Sequence, residues 1–196
     1  MLNRIIVLFM FVVLSASQAL AAPIDDVRKT VDEVVRIVAD KEMKKHDQKR
    51  RAALKKTISV IFDYGEMAKR SLGKHWNARS AAEKKQFVDL FATLLENSYA
   101  GKIESYNNEK IVYIKEILDG DHAEVKSKVI TAKRDEFTLD YRMINQNGKW
   151  MAYDVVIEGV SLVSNYRTQF NKIISTNGYG ELVKKLQSKS DELKAP

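Results

Sequence analysis

Acid–base, nucleophilic and metal chemistry each need a few reactive side chains placed together, and this sequence offers few. Its three histidines, His46, His75 and His122, stand far apart, and no two have metal-ligand spacing. His46 and His122 sit among charges and are expected at the surface. His75, in GKHW, reads as a helix-end or packing residue. There is no cysteine, which removes thiol catalysis, disulfides and thiolate metal sites. Asp140 and Asp154 fall on neighbouring strand-like segments and could form a carboxylate pair for general acid–base work. Alternation puts Asp140 on the outward face beside Arg142, so a surface ion pair is the better reading. Glu158 lies at a strand-to-helix turn, where it is better placed to satisfy backbone N–H groups than to act as a base. The sequence has no nucleophile elbow, P-loop or dinucleotide-binding glycine motif. No catalytic residue, metal site or cofactor is expected.

The elements that position these groups begin after an export-type leader. MLNR is followed by an apolar run from Ile5 to Leu14, then by SASQALAA with small residues at Ala19 and Ala21. That is the order of a cleaved secretory signal. The run is shorter than the roughly 20 apolar residues that span a bilayer. Cleavage is expected after Ala21, with Ala22 the second choice and an uncleaved short anchor the alternative. Residues 1–21 are therefore assigned to the signal and 22–196 to one domain, with no internal repeat or linker. The formal charge of +7 falls to +6 when Arg4 leaves. The densest basic stretch, KEMKKHDQKRRAALKK at 41–56, has acids within it and no interleaved aromatic residue. It reads as a solvated helix face, and no nucleic-acid partner is expected.

Helical spacing dominates the first half. Val27, Val31, Val34, Val35 and Val38 form one stripe, behind Asp25 and Asp26 in a first turn. Further helices are expected over 46–61 and over DYGEMAKRSLG, the latter closed by Gly73. Ser80-Ala81-Ala82-Glu83 is a capping box. It opens a helix to about Asn97 with Phe87, Leu90, Phe91, Leu94 and Leu95 on one side. A further short helix is expected through Tyr99, Ile103 and Tyr106, with Gly101 a poor fit within it. From residue 109 the period becomes two. Four strands, KIVYIKEIL, HAEVKSKVI, EFTLDYRMI and KWMAYDVVIEG, are joined by turns at Asp119-Gly120-Asp121 and Asn147-Gly148. Helices return at SLVSNYRTQFNKII and from about 180 to 193. The fold class is α+β: a curved antiparallel sheet of about four strands, covered on one face by helices. Periodicity leaves open whether the space between sheet and helices is packed or hollow.

The segment YDVVIEGVSLVSNYRTQF, 153–170, resembles the signature of the MlaC (toluene-tolerance) family of periplasmic phospholipid-binding proteins. A second block resembles it too: Phe62-Asp63-Tyr64, Met67-Ala68, Leu72-Gly73 and His75-Trp76, then Phe87, Phe91, Leu94-Leu95 and Tyr99. A third is Asp140-Tyr141-Arg142 with Trp150. Order and spacing agree over about 60–180; residues 24–58 and the tail after 185 match only generically. Tyr64 stands where the family pattern leads one to expect Phe.

The resemblance implies a periplasmic carrier of glycerophospholipid that maintains outer-membrane lipid asymmetry. Its implied partners are an outer-membrane lipoprotein–porin complex and an inner-membrane ABC transporter with a lipid-binding ring subunit. The lipid is cargo rather than cofactor, with its acyl chains in the space between sheet and helices. The residues then expected to line that space are Phe91, Leu94, Leu95 and Tyr99 from the long helix. Leu139, Tyr141, Tyr153, Val155 and Ile157 are expected from the sheet, and Val160, Leu162, Val163, Tyr166 and Phe170 from the last turn and helix. Arg142, Lys149 and Arg167 are the expected docking charges near its mouth. Two other readings compete. One is an enzyme on a similar cone-shaped sheet acting on a small apolar substrate, which needs an inward carboxylate or histidine beside a donor such as Tyr141 or Tyr153. The other is a scaffold or chaperone with a fully packed interior.

Overall fold

The computed structural model describes residues 22–192; the expected leader and Leu193 lie outside the described residues. Helix α1 (Pro23–Ala39) starts with proline in its first turn, where the missing N–H costs nothing. It is followed by α2 (Asp47–Ile58) and α3 (Tyr64–Leu72). The Asp63 side chain caps α3 by accepting from the Glu66 N–H at 2.8 Å. Helix α4 (Ala81–Glu104) opens on the expected capping box. The Glu83 N–H donates to Ser80 Oγ at 3.2 Å, and the Ser80 N–H donates to Glu83 Oε2 at 2.8 Å. It then runs straight through Gly101, where a short separate helix was expected. A single exposed glycine costs only about 1 kcal/mol, and the Tyr99–Ile103–Tyr106 stretch packs too well to break there.

The sheet is a meander in the order β1 (Lys110–Asp119), β2 (His122–Ile130), β3 (Glu136–Gln146), β4 (Lys149–Ile157) and β5 (Val160–Ser161), all neighbours antiparallel. The fifth strand, only two residues long, was not foreseen. Glu158 (φ 50°) and Gly159 (φ 77°) form the tight turn that folds it back. The Glu158 carboxylate accepts from the Thr138 N–H, which is a backbone-satisfying role as expected. Asn147 (φ 54°) and Gly148 (φ 87°) make the other two-residue turn. The open edge of β4 is covered at its start by residues 61–63: the Ala152 N–H donates to the Ile61 carbonyl at 2.7 Å and the Asp63 N–H to the Ala152 carbonyl at 2.9 Å. Helices α5 (Leu162–Asn177) and α6 (Tyr179–Glu192) complete the fold.

Three bodies of packing result among the described residues. In the first, α3, α5, α6 and the first half of α4 meet around Phe87, Phe91 and Phe170. Their rings pack closely, with Phe170 edge-on to Phe87 at 5.7 Å and to Phe91 at 5.6 Å. In the second, the inner face of the sheet (Val125, Tyr141, Met143, Trp150, Ala152, Val155) meets Val27 of α1 and Ile61. Further along, Ile37 and Val38 of α1 pack on Leu54 of α2, with Ile103 of α4 and Tyr106 just past its end against them.

Candidate functional site

The second body is not filled. A cavity of about 690 Å³ lies between the inner face of the sheet and α1, α2 and the second half of α4. That size falls within the roughly 300–1,000 Å³ of small-molecule sites. The alternating strands supply one wall, with Val129, Phe137, Leu139, Tyr141, Val155 and Ile157 pointing in. The valine stripe of α1 supplies another through Val27, Val31, Val34 and Val35; α2 adds Leu54 and Ile58, and α4 adds Leu95, Tyr99 and Ile103. Met67 and Leu162 come from α3 and the start of α5.

Polarity is graded along it. Met67, Leu95, Tyr141 and Val155 are buried, whereas Arg51, Lys55 and Lys102 are exposed and mark the mouth. The mouth is bridged by ion pairs between α2 and α4. Lys55 Nζ lies 2.9 Å from Glu96 Oε2, and Arg51 Nε lies 3.0 Å from Glu104 Oε1. Inside, the medium is apolar enough to disfavour phenolate. Burial raises the Tyr141 and Tyr64 phenols well above the usual range, and the nearby Glu96 charge adds to the effect at Tyr64. The site can therefore hold an apolar body with a polar end in water, and the mostly buried Glu96 and Glu104 carboxylates in its wall are each paired with a base of α2.

The MlaC protein family profile matches residues 28–188. The chain belongs to the MlaC family. It is 29% identical over 126 residues to the intermembrane phospholipid transport system binding protein MlaC of Haemophilus influenzae, covering 62% of this chain and 59% of that one. It is 25% identical over 128 residues to the toluene tolerance protein ttg2D of Pseudomonas putida, covering 64% and 60%. The chain thus spans about three fifths of the length of these curated relatives. Its fold matches that of a phospholipid-binding protein from Ralstonia solanacearum, solved in complex with a phospholipid. There the TM-score is 0.80 and the identity 26%, over 89% of this chain and all of the other.

Of the fourteen residues expected at the cavity wall in this MlaC-family chain, Leu95, Tyr99, Leu139, Tyr141, Val155, Ile157 and Leu162 stand there. Seven do not, for three reasons. Phe91, Val163 and Phe170 are buried in the solid helical core, and Leu94 and Tyr166 pack against it. Their stripes face other helices rather than the sheet. Tyr153 is displaced by a β-bulge: Arg142 pairs with Asp154 and Met143 with Ala152, so Tyr153 is the extra residue and leaves the inner face. It packs on the helical core instead, under the Arg70 guanidinium at 3.9 Å. Val160 sits on the edge strand β5 and is 60% exposed.

The expected docking charges are also away from the mouth. Arg142 is on the outer face of the sheet, 3.3 Å from Asp154 and 3.8 Å from Glu124. Lys149 follows the β3–β4 turn, and Arg167 lies on α5 with its stem over Gly73. Asp140 and Asp154 are both buried, which corrects the surface ion-pair reading. The Asp140 carboxylate accepts from Lys126 Nζ at 3.0 Å and from the Ser127 N–H at 3.1 Å. Asp154 serves the N-terminus of α5, accepting from the Val163 N–H at 3.0 Å and Ser161 Oγ at 2.6 Å. Neither faces Tyr141, so the inward acid that the enzyme reading requires is not supplied by these two. His75 Nε2 is 3.0 Å from Asn171 Oδ1, joining the end of α3 to α5, which is the packing role expected of it. Among the described residues no group of three His, Asp or Glu is placed to hold a metal ion.

Sequence reasoning missed the α1 and α2 walls and, apart from Tyr99, the α4 residues beyond Leu95.

Proposed function

We propose that this protein is a glycerophospholipid carrier, holding acyl chains in the cavity between sheet and helices. The observation that carries this reading is the 690 Å³ space with mainly aliphatic and aromatic walls and exposed bases, Arg51, Lys55 and Lys102, at its mouth. The phospholipid in the Ralstonia solanacearum relative and the transport role named for the Haemophilus influenzae relative support it. The energetics suit a carrier. At about 0.8 kcal/mol per buried methylene, two acyl chains bring on the order of 20 kcal/mol. A shuttle must match the bilayer in this respect, not exceed it, if it is to release what it takes.

The carrier works in the periplasm after removal of residues 1–21. It passes lipid between an outer-membrane lipoprotein–porin complex and an inner-membrane ABC transporter with a lipid-binding ring. Among the described residues no helix is long and apolar enough to cross a membrane, in keeping with a protein that leaves each membrane after docking. Native mass spectrometry of protein purified from the periplasm tests the reading. Phospholipid should co-purify at fixed stoichiometry, and the N-terminus should be Ala22 or Pro23. Protein that emerges without lipid, and takes none from vesicles, would refute the carrier.

A further inference from the structure

We propose that Arg51 and Lys55 form a subsite for the phosphodiester of the bound lipid, at the mouth of the cavity. The inference rests on the carrier reading and adds to it where the head group is held. Both residues line the cavity, yet their side chains are 63% and 62% exposed, so they stand where apolar wall gives way to water. They are four residues apart on α2 and present their heads on one side, about one helical turn from each other. Each is anchored from the opposite wall by a mostly buried carboxylate of α4: Glu104, 12% exposed, for Arg51, and Glu96, 16% exposed, for Lys55. The anchoring is incomplete. Arg51 gives Glu104 only its Nε–H, and among the described residues neither of its terminal nitrogens has a hydrogen-bond partner. That leaves the fork of the guanidinium open for the two unesterified oxygens of a phosphodiester. Lys55 commits Nζ to Glu96 and has further N–H donors to offer. Glu104 also lies 3.8 Å from Arg50 Nη2, a base it shares with Asp47 at 3.1 Å, which reduces its repulsion of an arriving phosphate. The third base of the mouth, Lys102, lies 5.5 Å over the Tyr99 ring and is less free to turn.

The test compares two single-chain ligands with the same acyl tail, added to the delipidated full chain: oleoyl lysophosphatidylglycerol and monooleoylglycerol, which lacks the phosphodiester. In the Arg51→Gln/Lys55→Gln protein the lysophospholipid should bind about tenfold more weakly, as expected for two exposed charged contacts. Monooleoylglycerol should bind as before. The charge-preserving Arg51→Lys/Lys55→Arg protein should recover most of the lysophospholipid affinity. Equal losses for both ligands would mean damage to the wall, and no loss for either would mean the cations do not touch the head group; both overturn the subsite while leaving the carrier standing. Millimolar inorganic phosphate should not displace the lysophospholipid. Displacement by it would assign the pair to free phosphate and overturn the head-group assignment. Failure of the unaltered protein to bind either ligand would overturn the carrier reading and the subsite together.

Discussion

Val155 separates a hollow interior from a packed one. It lies on the inner face of β4 at 9% exposure and forms part of the cavity wall. In a dry packed core, Val155→Glu would leave an unpaired carboxylate with no water and unfold the protein. Beside a cavity with an open mouth, the carboxylate keeps some water. The expected cost is then about 1–2 kcal/mol, within the ordinary range for a single substitution. Bound phospholipid should fall much further, because each acyl chain that enters must strip water from the charge. Denaturant unfolding and lipid extraction on one preparation check the pairing; a folded variant with its full lipid complement would show that Val155 does not face lipid. The buried Tyr141 and half-buried Tyr64 and Tyr113 give a pH signature at the same scale. Burial, with the Asp32 charge adding and Arg28 opposing, pushes the Tyr113 phenol up to about 12. In the unfolded chain it ionises near about 10. Its contribution to stability is therefore complete below pH about 10 and is lost as the pH climbs through about 12, since the unfolded state releases a proton that the fold retains. Tyr141 and Tyr64 act in the same direction. The melting temperature should fall steeply above pH about 10, and less steeply in Tyr113→Phe.

At the scale of the element, the joint between β4 and α5 has the sharpest expectation. Asp154 is 3% exposed and accepts from the Val163 N–H, Ser161 Oγ and Arg142 Nη1. Asp154→Ala leaves those donors without an acceptor and should cost about 2–4 kcal/mol. Asp154→Asn, which keeps one carbonyl oxygen, should cost less. Bound lipid per folded molecule should stay constant in both, because Asp154, Ser161 and Val163 are not themselves wall residues, although Val155 and Leu162 beside them are; a loss of lipid would couple the joint to the cavity. This joint also marks the limit of what sequence could reveal. The segment 153–170 was legible as strand, turn and helix, and the alternation of β2 and β3 gave Leu139 and Tyr141 their correct face. The bulge at Tyr153 was not legible, because two residues opposing one is a property of the β3–β4 pair and not of β4 alone. Nor could the Phe91 and Phe170 stripes be assigned. Helical spacing shows that a face is apolar but not whether it meets another helix or a void, and here it meets other helices. The valine stripe of α1, identical in kind, borders the cavity instead.

On the scale of the whole molecule, a solid half and a hollow half share one chain through α4. Its first turns carry Phe87 and Phe91 into the helical core, and its later turns carry Tyr99 and Ile103 to the cavity. The solid half can hold the fold while the hollow half changes its contents. The magnitudes show that the hollow half does not stay sealed and empty. A sealed, dry void of 690 Å³ would cost on the order of 15 kcal/mol at roughly 24 cal/mol per Å³. That equals the entire stability of an ordinary domain. The space must therefore be occupied by lipid, wetted through its mouth, or partly collapsed, and lipid is the occupant that returns most apolar contact. Ligand that binds only the folded state raises its stability by mass action. Removing phospholipid should thus lower the melting temperature by several degrees, and reloading from vesicles should restore it. Adding apolar volume from the sheet side, with Leu139→Phe and Ile157→Phe together, should do part of the lipid's work. The delipidated double variant should melt above delipidated wild type and should retain less phospholipid on purification, so the gap between loaded and empty forms narrows from both ends. Calorimetry on the four samples, wild type and variant with and without lipid, reads the gap directly. If the wild-type melting temperature is the same loaded and empty, the cavity is not where the lipid's apolar contact is made.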